Sequence, residues 1–210
     1  FNLEAGLLWH KTTRQNKKIA LKAEITSFIP ASSDPVELML IDITNISAKP
    51  IKFIYTCAIP IFGRSGHNLH DHRQVTSLLT RIQKERCGVI VTPTLIFDES
   101  GHKKNLISYF VFGVDEKSNP PQYIYPTQEE FRGESGDLEA PLAVCKNLLP
   151  VKKSNIQGKE PMAGLKFSTY LLKPKESTSY IIVIGITQDK SRINAIFEKF
   201  NTKAKVEKAL

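Results

Sequence analysis

The chain has 210 residues, of which 41% are hydrophobic and 24% are charged, and its formal net charge is +8. This length suits one large domain with a substantial core, or at most two small ones. No apolar run reaches the roughly 18 residues that a membrane-spanning helix requires, and no secretory leader is recognisable at the start. Because the chain opens on Phe1 and stops in a helical pattern, we expect it to be a segment of a larger protein.

The positive charge does not by itself indicate a nucleic-acid partner. The lysines occur as scattered pairs, such as those at 17–18, 103–104 and 152–153, and not as a block of five or six. No aromatic residues alternate with them, as a platform for single-stranded nucleic acid would require. We therefore predict a protein without nucleic-acid or membrane partners.

The three cysteines, Cys57, Cys87 and Cys145, are odd in number and far apart. Zinc ribbons and disulfide frameworks need closer or paired spacing, so neither is expected. Cys57 and Cys87 lie in apolar, strand-like runs, where a reduced cysteine behaves as a small hydrophobic residue. This pattern favours a reducing compartment, and we predict a cytoplasmic location.

Strand patterns recur along the chain and are bounded by Asn, Gly, Ser or Pro. They cover residues 19–25, 36–43, 51–59, 88–97, 106–114, 165–172 and 179–186. The last two are expected to form a hairpin, and the composition of 98–105 predicts a loop. Residues 179–186 are apolar on both faces, which predicts a central strand covered on both sides.

Helical signals are few and lie mainly at the end of the chain. Thr127 and Glu130 have the spacing of a capping box, which predicts a short helix after Pro126. From Asp189, a candidate helix cap, the hydrophobic period changes from two to 3.6. Its apolar stripe consists of Ile193, Ile196, Phe197 and Phe200.

These elements predict a mainly β fold, a large two-sheet antiparallel sandwich with a short C-terminal helical segment. The change of period places the domain at 1–188 and a helical segment at 189–210. The polar stretches 64–83 and 116–159 are too long for hairpin turns, and loops of that length are usually functional or form contact surfaces.

The motifs that mark common active sites are missing from the sequence. Neither a phosphate-binding glycine loop nor a Gly-x-Ser-x-Gly nucleophile elbow occurs. Asp98 and Glu99 are adjacent and should point to opposite sides of a strand, so a turn role is favoured over an acid–base pair. The carboxylates of 129–139 are dense but expected to be solvated. The residues alone therefore predict no catalytic residue, and they leave open whether the chain is an enzyme.

One polar segment stands out, and we call residues 64–73 the histidine loop. Its candidate contact residues are Arg64, His67, Asn68, His70, Asp71, His72 and Arg73. Three interpretations stay open at this point: a metal site, a structural loop, or polar contacts to a ligand or another domain. The flanking arginines would repel a dication, and the spacing fits no zinc-finger or zincin pattern, so we predict no metal.

The order of motifs resembles the N-terminal β-domain of the inverting glycoside phosphorylases, whose type member is cellobiose phosphorylase. The similarity extends over nearly the whole chain, and the histidine loop is most similar to the branch that includes the β-1,2-oligoglucan phosphorylases. The matching segments are SFIPASSDPVELMLIDITNIS, GRSGHNLHDHRQVTSLLTRI, TPTLIFDESGHKKN, EEFRGESGDLEAPLAV, LKFSTYLLKPKE and IIVIGIT.

The resemblance implies a β-supersandwich followed by a helical linker, an (α/α)6 catalytic barrel and a small C-terminal β domain. It implies that 189–210 begins that linker. In the family an aspartate of the barrel protonates the leaving oxygen while inorganic phosphate attacks the anomeric carbon, so this segment would hold no catalytic acid and no cofactor. The histidine loop would face the barrel or a partner subunit of a homodimer, near the mouth of the active site.

A second hypothesis is a stand-alone carbohydrate-binding module. It would hold a glycan on exposed aromatic side chains such as Trp9, Tyr123 and Tyr125. For Trp9, a role as core filler is the competing interpretation.

Overall fold

The computed structural model describes residues 1–63, 73–98, 101–133, 136–151 and 155–210. These residues form fifteen strands: β1 (Asn2–Gly6), β2 (Trp9–Asn16), β3 (Leu21–Phe28), β4 (Val36–Asn45), β5 (Ile51–Phe53), β6 (Thr56–Pro60), β7 (Thr80–Lys84), β8 (Gly88–Pro93), β9 (Leu95–Asp98), β10 (Gly101–Lys104), β11 (Ser108–Asp115), β12 (Tyr123–Thr127), β13 (Pro161–Lys166), β14 (Tyr170–Leu172) and β15 (Ser177–Thr187). They also form five short helices: α1 (Arg73–Leu78), α2 (Gln128–Arg132), α3 (Leu142–Cys145), α4 (Ile193–Glu198) and α5 (Lys203–Ala209).

One large sheet carries the fold. Its eight strands lie in the order β1-β2-β3-β4-β15-β11-β8-β7, and each neighbouring pair is antiparallel. The second layer contains a three-stranded sheet, β12-β13-β6, and a two-stranded sheet, β14-β5. The predicted mainly β, two-sheet antiparallel supersandwich is confirmed.

The large sheet is covered on both faces, because its central strands alternate between two cores. Ile181 and Val183 of β15 face an outer core, and Tyr180 and Ile182 face an inner core. The inner core is closed by residues of the second layer, such as Leu165. β15 lies between β4 and β11, so its predicted central, doubly covered position is confirmed.

The C-terminal segment closes the outer core. The Asp189 carboxylate accepts a hydrogen bond from the Ser191 backbone N–H at 3.0 Å and caps the 3-10 turn Lys190–Arg192 that leads into α4, as predicted. The predicted stripe is buried against the sheet: Ile193, Ile196, Phe197 and Phe200. The assignment of 189–210 to the start of a linker stays a prediction.

Ion pairs to two carboxylates of the sandwich fix this segment. Lys199 Nζ lies 2.6 Å from an oxygen of the buried Asp34, just before β4. Lys203 Nζ lies 2.7 Å from Asp42 of β4, and it also donates to Ser179 Oγ at 2.9 Å. The helical segment is therefore held by charge-assisted hydrogen bonds as well as by apolar packing.

Two strand predictions were wrong, one in its bounds and one in its partner. The segment 51–59 divides into β5, which pairs with β14, and β6, which pairs with β13. The segment 165–186 is no hairpin, since β14 pairs with β5 while β15 pairs with β4 and β11. An apolar pattern reports burial and not the identity of the neighbouring strand, so these errors share one cause.

Other errors concern polar segments. The predicted strand 88–97 ends at β8, and β9 forms a separate hairpin with β10, which lies in the predicted loop 98–105. The polar stretches 64–83 and 116–159 contain α1, β7, β12, α2 and α3. β1 and β2 were not predicted, because strands at an exposed sheet edge bury too little for clear alternation.

Cys57, on β6, gives an alkaline-pH prediction. Burial raises the pKa of the Cys57 thiol to about 11, whereas an unfolded cysteine titrates near 8.5. The thiol is therefore protonated in the native state at pH values at which the unfolded chain loses its proton. Its stabilising contribution is complete below about pH 8.5 and is lost as the pH rises toward about 11.

We expect Cys57→Ala to reduce the alkaline loss of unfolding free energy by about 2–3 kcal/mol between pH 8 and pH 11. Urea denaturation at a series of pH values measures this slope. Cys145→Ala is the matched control, since Cys145 is exposed and its removal should leave the slope unchanged. Equal slopes for Cys57→Ala and the unsubstituted chain would contradict the prediction.

Candidate functional site at the base of the histidine loop

Most of the predicted contact residues cannot be placed. Six of the seven lie outside the described residues: Arg64, His67, Asn68, His70, Asp71 and His72. The backbone of the seventh, Arg73, begins α1. The segments on either side of the loop are described. Ile61–Gly63 leads into it from β6, and α1 leads out of it to β7.

These two segments meet α2. A small cavity of about 20 Å³ lies between Phe62 and Gly63 on one side, Thr76 and Ser77 of α1 on another, and Gln128 of α2. Its volume is sufficient for a single water molecule. The described residues on either side of the histidine loop therefore lie beside α2, although α2 is far from them in the sequence.

Local chemistry explains why a helix begins at this point. The Thr127 side chain accepts a hydrogen bond from the Glu130 backbone N–H at 3.2 Å, which confirms the predicted cap. The first helical residue, Gln128, donates its backbone N–H to the Glu160 carbonyl at 2.9 Å. Phe131 anchors the helix, with its ring at 5.6 Å and 77° from the ring of Tyr125.

Two glycines shape the turn after α2. Gly133 has a φ of 83°, and a Cβ there would lie 2.4 Å from Leu142 Cδ1. A Cβ on Gly136 would lie 1.9 Å from the Arg132 carbonyl oxygen. Only glycine fits such a close approach, so glycine is required at positions 133 and 136 beside α2 and Leu142.

An open polar cleft of about 680 Å³ lies beside this helix. It is bordered by Val75 and Leu78 of α1, by Glu129 and Arg132 of α2, and by Lys159. Lys159 Nζ lies 2.8 Å from a Glu129 oxygen, and the Arg132 Nε is buried without a hydrogen-bond partner in the described part of the chain. The cleft is therefore lined by side chains that carry charged hydrogen-bond donors and acceptors.

The sequence reasoning did not identify Arg132 and Lys159 as site residues. The one sequence signal for either residue was that Arg132 belongs to the EEFRGESGD segment, which is among the segments that carry the family resemblance. Glu129 was predicted to be solvated, and it is exposed and paired with Lys159. An ion-paired, exposed carboxylate is poorly suited to donate a proton to a leaving group.

Two carboxylates elsewhere have pKa values that move in the direction opposite to that required of a general acid. Hydrogen bonds from Lys22 and Lys11 lower the pKa of Glu24, and hydrogen bonds from Ser191 lower the pKa of Asp189. A carboxyl group that protonates a substrate near neutral pH needs a raised pKa. Glu24 and Asp189 are therefore unsuited to act as general acids, and their hydrogen bonds stabilise the fold.

The aromatic side chains named for a carbohydrate-binding module do not form an exposed platform. Tyr125 is 0% exposed and donates its hydroxyl to the Leu148 carbonyl at 2.6 Å, so its predicted exposure was wrong. Trp9 is partly buried against the outer core, with its indole next to Gly6. Tyr123 is partly buried against the small cluster that contains Tyr125 and Phe131. The core-filler interpretation of Trp9 is thus favoured.

Among the residues that the structure describes, no three His, Cys, Asp or Glu side chains are placed together to hold a metal ion. The three loop histidines fall outside that part of the chain.

Comparison with known proteins decides the family. The family model for the glycosyl hydrolase 94 supersandwich domain matches residues 8–203. The chain belongs to this family. The resemblance to the N-terminal β-domain of inverting glycoside phosphorylases is confirmed at that level, and the supersandwich domain is a domain of a carbohydrate-active enzyme family. The finer match to the β-1,2-oligoglucan branch stays a prediction.

Among solved structures, a polysaccharide lyase is similar to the supersandwich domain, with 14% sequence identity and a TM-score of 0.50. The match covers 90% of this chain and 23% of that chain, so the domain spans under a quarter of the lyase. At this identity the likeness shows the fold alone. No curated protein matches the chain.

The helices of the domain are short. In the described ranges, none has the length and apolar composition needed to cross a membrane.

Proposed function

We propose that this chain is the non-catalytic supersandwich of an inverting glycoside phosphorylase. The parent enzyme would cleave a β-glucoside with inorganic phosphate as co-substrate and release a sugar 1-phosphate. The observation that carries the proposal is the family match over residues 8–203. The catalytic acid would come from a barrel domain of the same protein, and the free cysteines support a cytoplasmic location.

We further propose a role for the histidine loop at the active-site mouth. The polar cleft beside α2 supports it, because Arg132 and the ion pair of Glu129 and Lys159 line the cleft at this end of the sandwich. Arginine and histidine side chains of the loop would add donors for phosphate and sugar hydroxyls. The barrel of the same chain and a second subunit of a homodimer are the partners that this arrangement would contact.

The full-length enzyme tests the proposal. We expect it to release sugar 1-phosphate from a β-glucoside only when phosphate is present, with β-1,2-oligoglucans as the preferred members of a panel that includes cellobiose. The isolated 210-residue chain should release none. Phosphate-independent hydrolysis by the full-length enzyme would contradict the proposal, and tight glycan binding by the isolated chain would favour the carbohydrate-binding module.

Substitutions in the histidine loop test its role separately. We expect His67→Ala, His70→Ala and His72→Ala each to lower kcat/KM for phosphorolysis by about tenfold, the equivalent of losing one polar contact to the transition state. His10→Ala is the matched control, since His10 is an exposed histidine on β2, next to the edge strand β1. If all three loop variants keep the kcat/KM of the control, the loop lies away from the active-site mouth.

A further inference from the structure

The second layer of the sandwich contains a strand with an open edge. β6 pairs with β13 on one side, and in the described part of the chain no strand pairs with its other side. An open edge presents a row of backbone N–H and C=O groups to which a further strand can bind.

The register of the β6–β13 pair fixes which groups these are. The Tyr55 carbonyl accepts a hydrogen bond from the Phe167 backbone N–H at 3.0 Å, and Ile61 donates its backbone N–H to the Pro161 carbonyl at 3.2 Å. Hydrogen-bonded pairs alternate with other pairs along an antiparallel ladder, so the odd-numbered residues of β6 face β13. The even-numbered residues face the open edge.

Three residues therefore supply the backbone groups of this edge, and all three are partly exposed: Thr56, Ala58 and Pro60. Thr56 and Ala58 each present an N–H and a C=O. Pro60 presents a C=O alone, since proline has no backbone N–H. The ladder that β6 can offer is thus short and ends at Pro60.

Two other sheet edges carry features that discourage pairing. β7, at the edge of the large sheet, contains Arg81 and Lys84. β12, at the far edge of the three-stranded sheet, contains Pro126 and a shift of register. β6 has the sequence TCAIP, which is uncharged and has its proline only at the end. Natural proteins protect exposed edges with charges, bulges or prolines, so the plain edge of β6 indicates a partner strand.

Space for a strand lies beside β6. A groove of about 1020 Å³ opens at its Thr56 end, and a cleft of about 420 Å³ opens at its Pro60 end. Each is bordered by the large sheet and by the 53–62 segment, and the groove has an aliphatic and aromatic lining that includes Phe1, Phe53, Tyr55, Leu21 and Ala23. Apolar side chains of a further strand would pack against these walls.

The two ends of this space differ in charge. Arg14, Lys17 and Lys18 line the groove, and no carboxylate of the described residues does. Glu37 is the one charged residue among the described residues that line the cleft. A strand antiparallel to β6 would run from the cleft to the groove, so charge complementarity calls for a basic group near its start and acidic groups near its end.

We propose that a strand of the full-length protein, from outside residues 1–210, pairs antiparallel with the open edge of β6. A source in the same protein is favoured because the ladder is short. Few hydrogen bonds do not offset the freedom that a separate peptide loses on binding, whereas a tethered strand has a high effective concentration. Such a strand presupposes the larger protein of the proposed function, although no phosphorolysis assay is needed to detect it.

Amide hydrogen exchange, read by mass spectrometry at single-residue resolution, compares the isolated 210-residue chain with the full-length protein. We expect the Thr56 and Ala58 amides to exchange at least about 100-fold more slowly in the full-length protein. The Ile59 amide faces β13 and is the internal reference, since it should be protected in both.

Proline substitutions separate strand pairing from simple coverage. Ala58→Pro removes an N–H that faces the open edge, a change that edge strands tolerate. In the full-length protein it should speed Thr56 exchange by about tenfold or more, and in the isolated chain it should leave the Ile59 amide protected. Ile59→Pro is the matched control, because it removes an N–H that faces β13 and should weaken β6 in both proteins.

Charge substitutions test the direction of the added strand. Lys17→Glu/Lys18→Glu in the full-length protein should speed Thr56 exchange by about tenfold, since it places like charges at the acidic end of that strand. Lys84→Glu/Lys117→Glu is the control, with the same change of net charge on exposed lysines that do not line the groove. Circular dichroism verifies the folding of each variant.

Three results would overturn the inference. These are equal exchange of Thr56 and Ala58 in the two proteins, protection of both amides in the isolated chain, and protection of Thr56 that Ala58→Pro leaves intact. An unchanged Thr56 rate in Lys17→Glu/Lys18→Glu would overturn the assigned direction. A full-length protein that protects both amides but performs no phosphorolysis would reject the proposed function and leave the strand in place.

Discussion

Gly88→Ala should lower the free energy of unfolding by about 3 kcal/mol or more. Gly88 begins β8 and pairs with Phe112 of β11. A Cβ at this position would lie 1.9 Å from the Val111 carbonyl oxygen and 2.8 Å from the Phe112 Cα. Both are backbone atoms of a central strand, so the clash is relieved only by moving β8 away from β11 and weakening their hydrogen bonds. Urea denaturation measures the loss.

Gly63→Ala is the matched control for this prediction. Its Cβ would meet Val91 Cγ1 at 3.0 Å and Tyr109 Cδ2 at 3.3 Å, which are side-chain atoms that can shift. We expect a cost of about 1 kcal/mol or less. Similar losses for the two variants would show that β8 and β11 separate easily, against the close approach described here.

Asn45→Ala should lower the free energy of unfolding by about 3 kcal/mol. Asn45 is 0% exposed at the end of β4, and its amide is fully used. Nδ2 donates to the carbonyls of Lys49 at 2.8 Å and Leu172 at 3.0 Å, and Oδ1 accepts from the Ser47 backbone N–H and hydroxyl at 2.8 Å each. Truncation would leave these groups without partners where water is excluded, and it would cut a link between the two layers.

Asn119→Ala provides the comparison, because Asn119 is exposed and its amide donates to Asp115 at 3.0 Å. Water replaces that hydrogen bond, so the expected cost is below about 0.5 kcal/mol. Thermal and urea denaturation of both variants measure the difference. If Asn45→Ala were as stable as Asn119→Ala, the buried amide would not link the layers.

The fold class follows from local sequence patterns. Alternation in 19–25 predicted β3, the doubly apolar run 179–186 predicted the covered β15, and the spacing of Thr127 and Glu130 predicted α2. These signals succeed because alternation, capping and burial on two faces are properties of a few neighbouring residues. The polar strand β2, second from the edge of the sheet, buries too little for such a pattern, so it was not predicted.

For the candidate site, the sequence supplied the histidine loop and the EEFRGESGD segment as separate motifs. Their adjacency came from the structure, in which the segments bordering the loop, 61–63 and α1, meet Gln128 of α2 around a small cavity. Arg132 and Lys159 became candidates only through the cleft that they share. No local pattern encodes such a meeting, because it depends on contacts between residues distant in the chain.

The sequence by itself determined that this protein is a β-sandwich with a helical end, without a recognisable active site of its own, and similar to one family of carbohydrate-active enzymes. Only the tertiary structure decided which strands pair and which segments lie beside the residues that border the histidine loop. The physical reason is that side-chain periodicity records how deeply a segment is buried. Strand partners and grooves are selected by long-range packing of the whole chain.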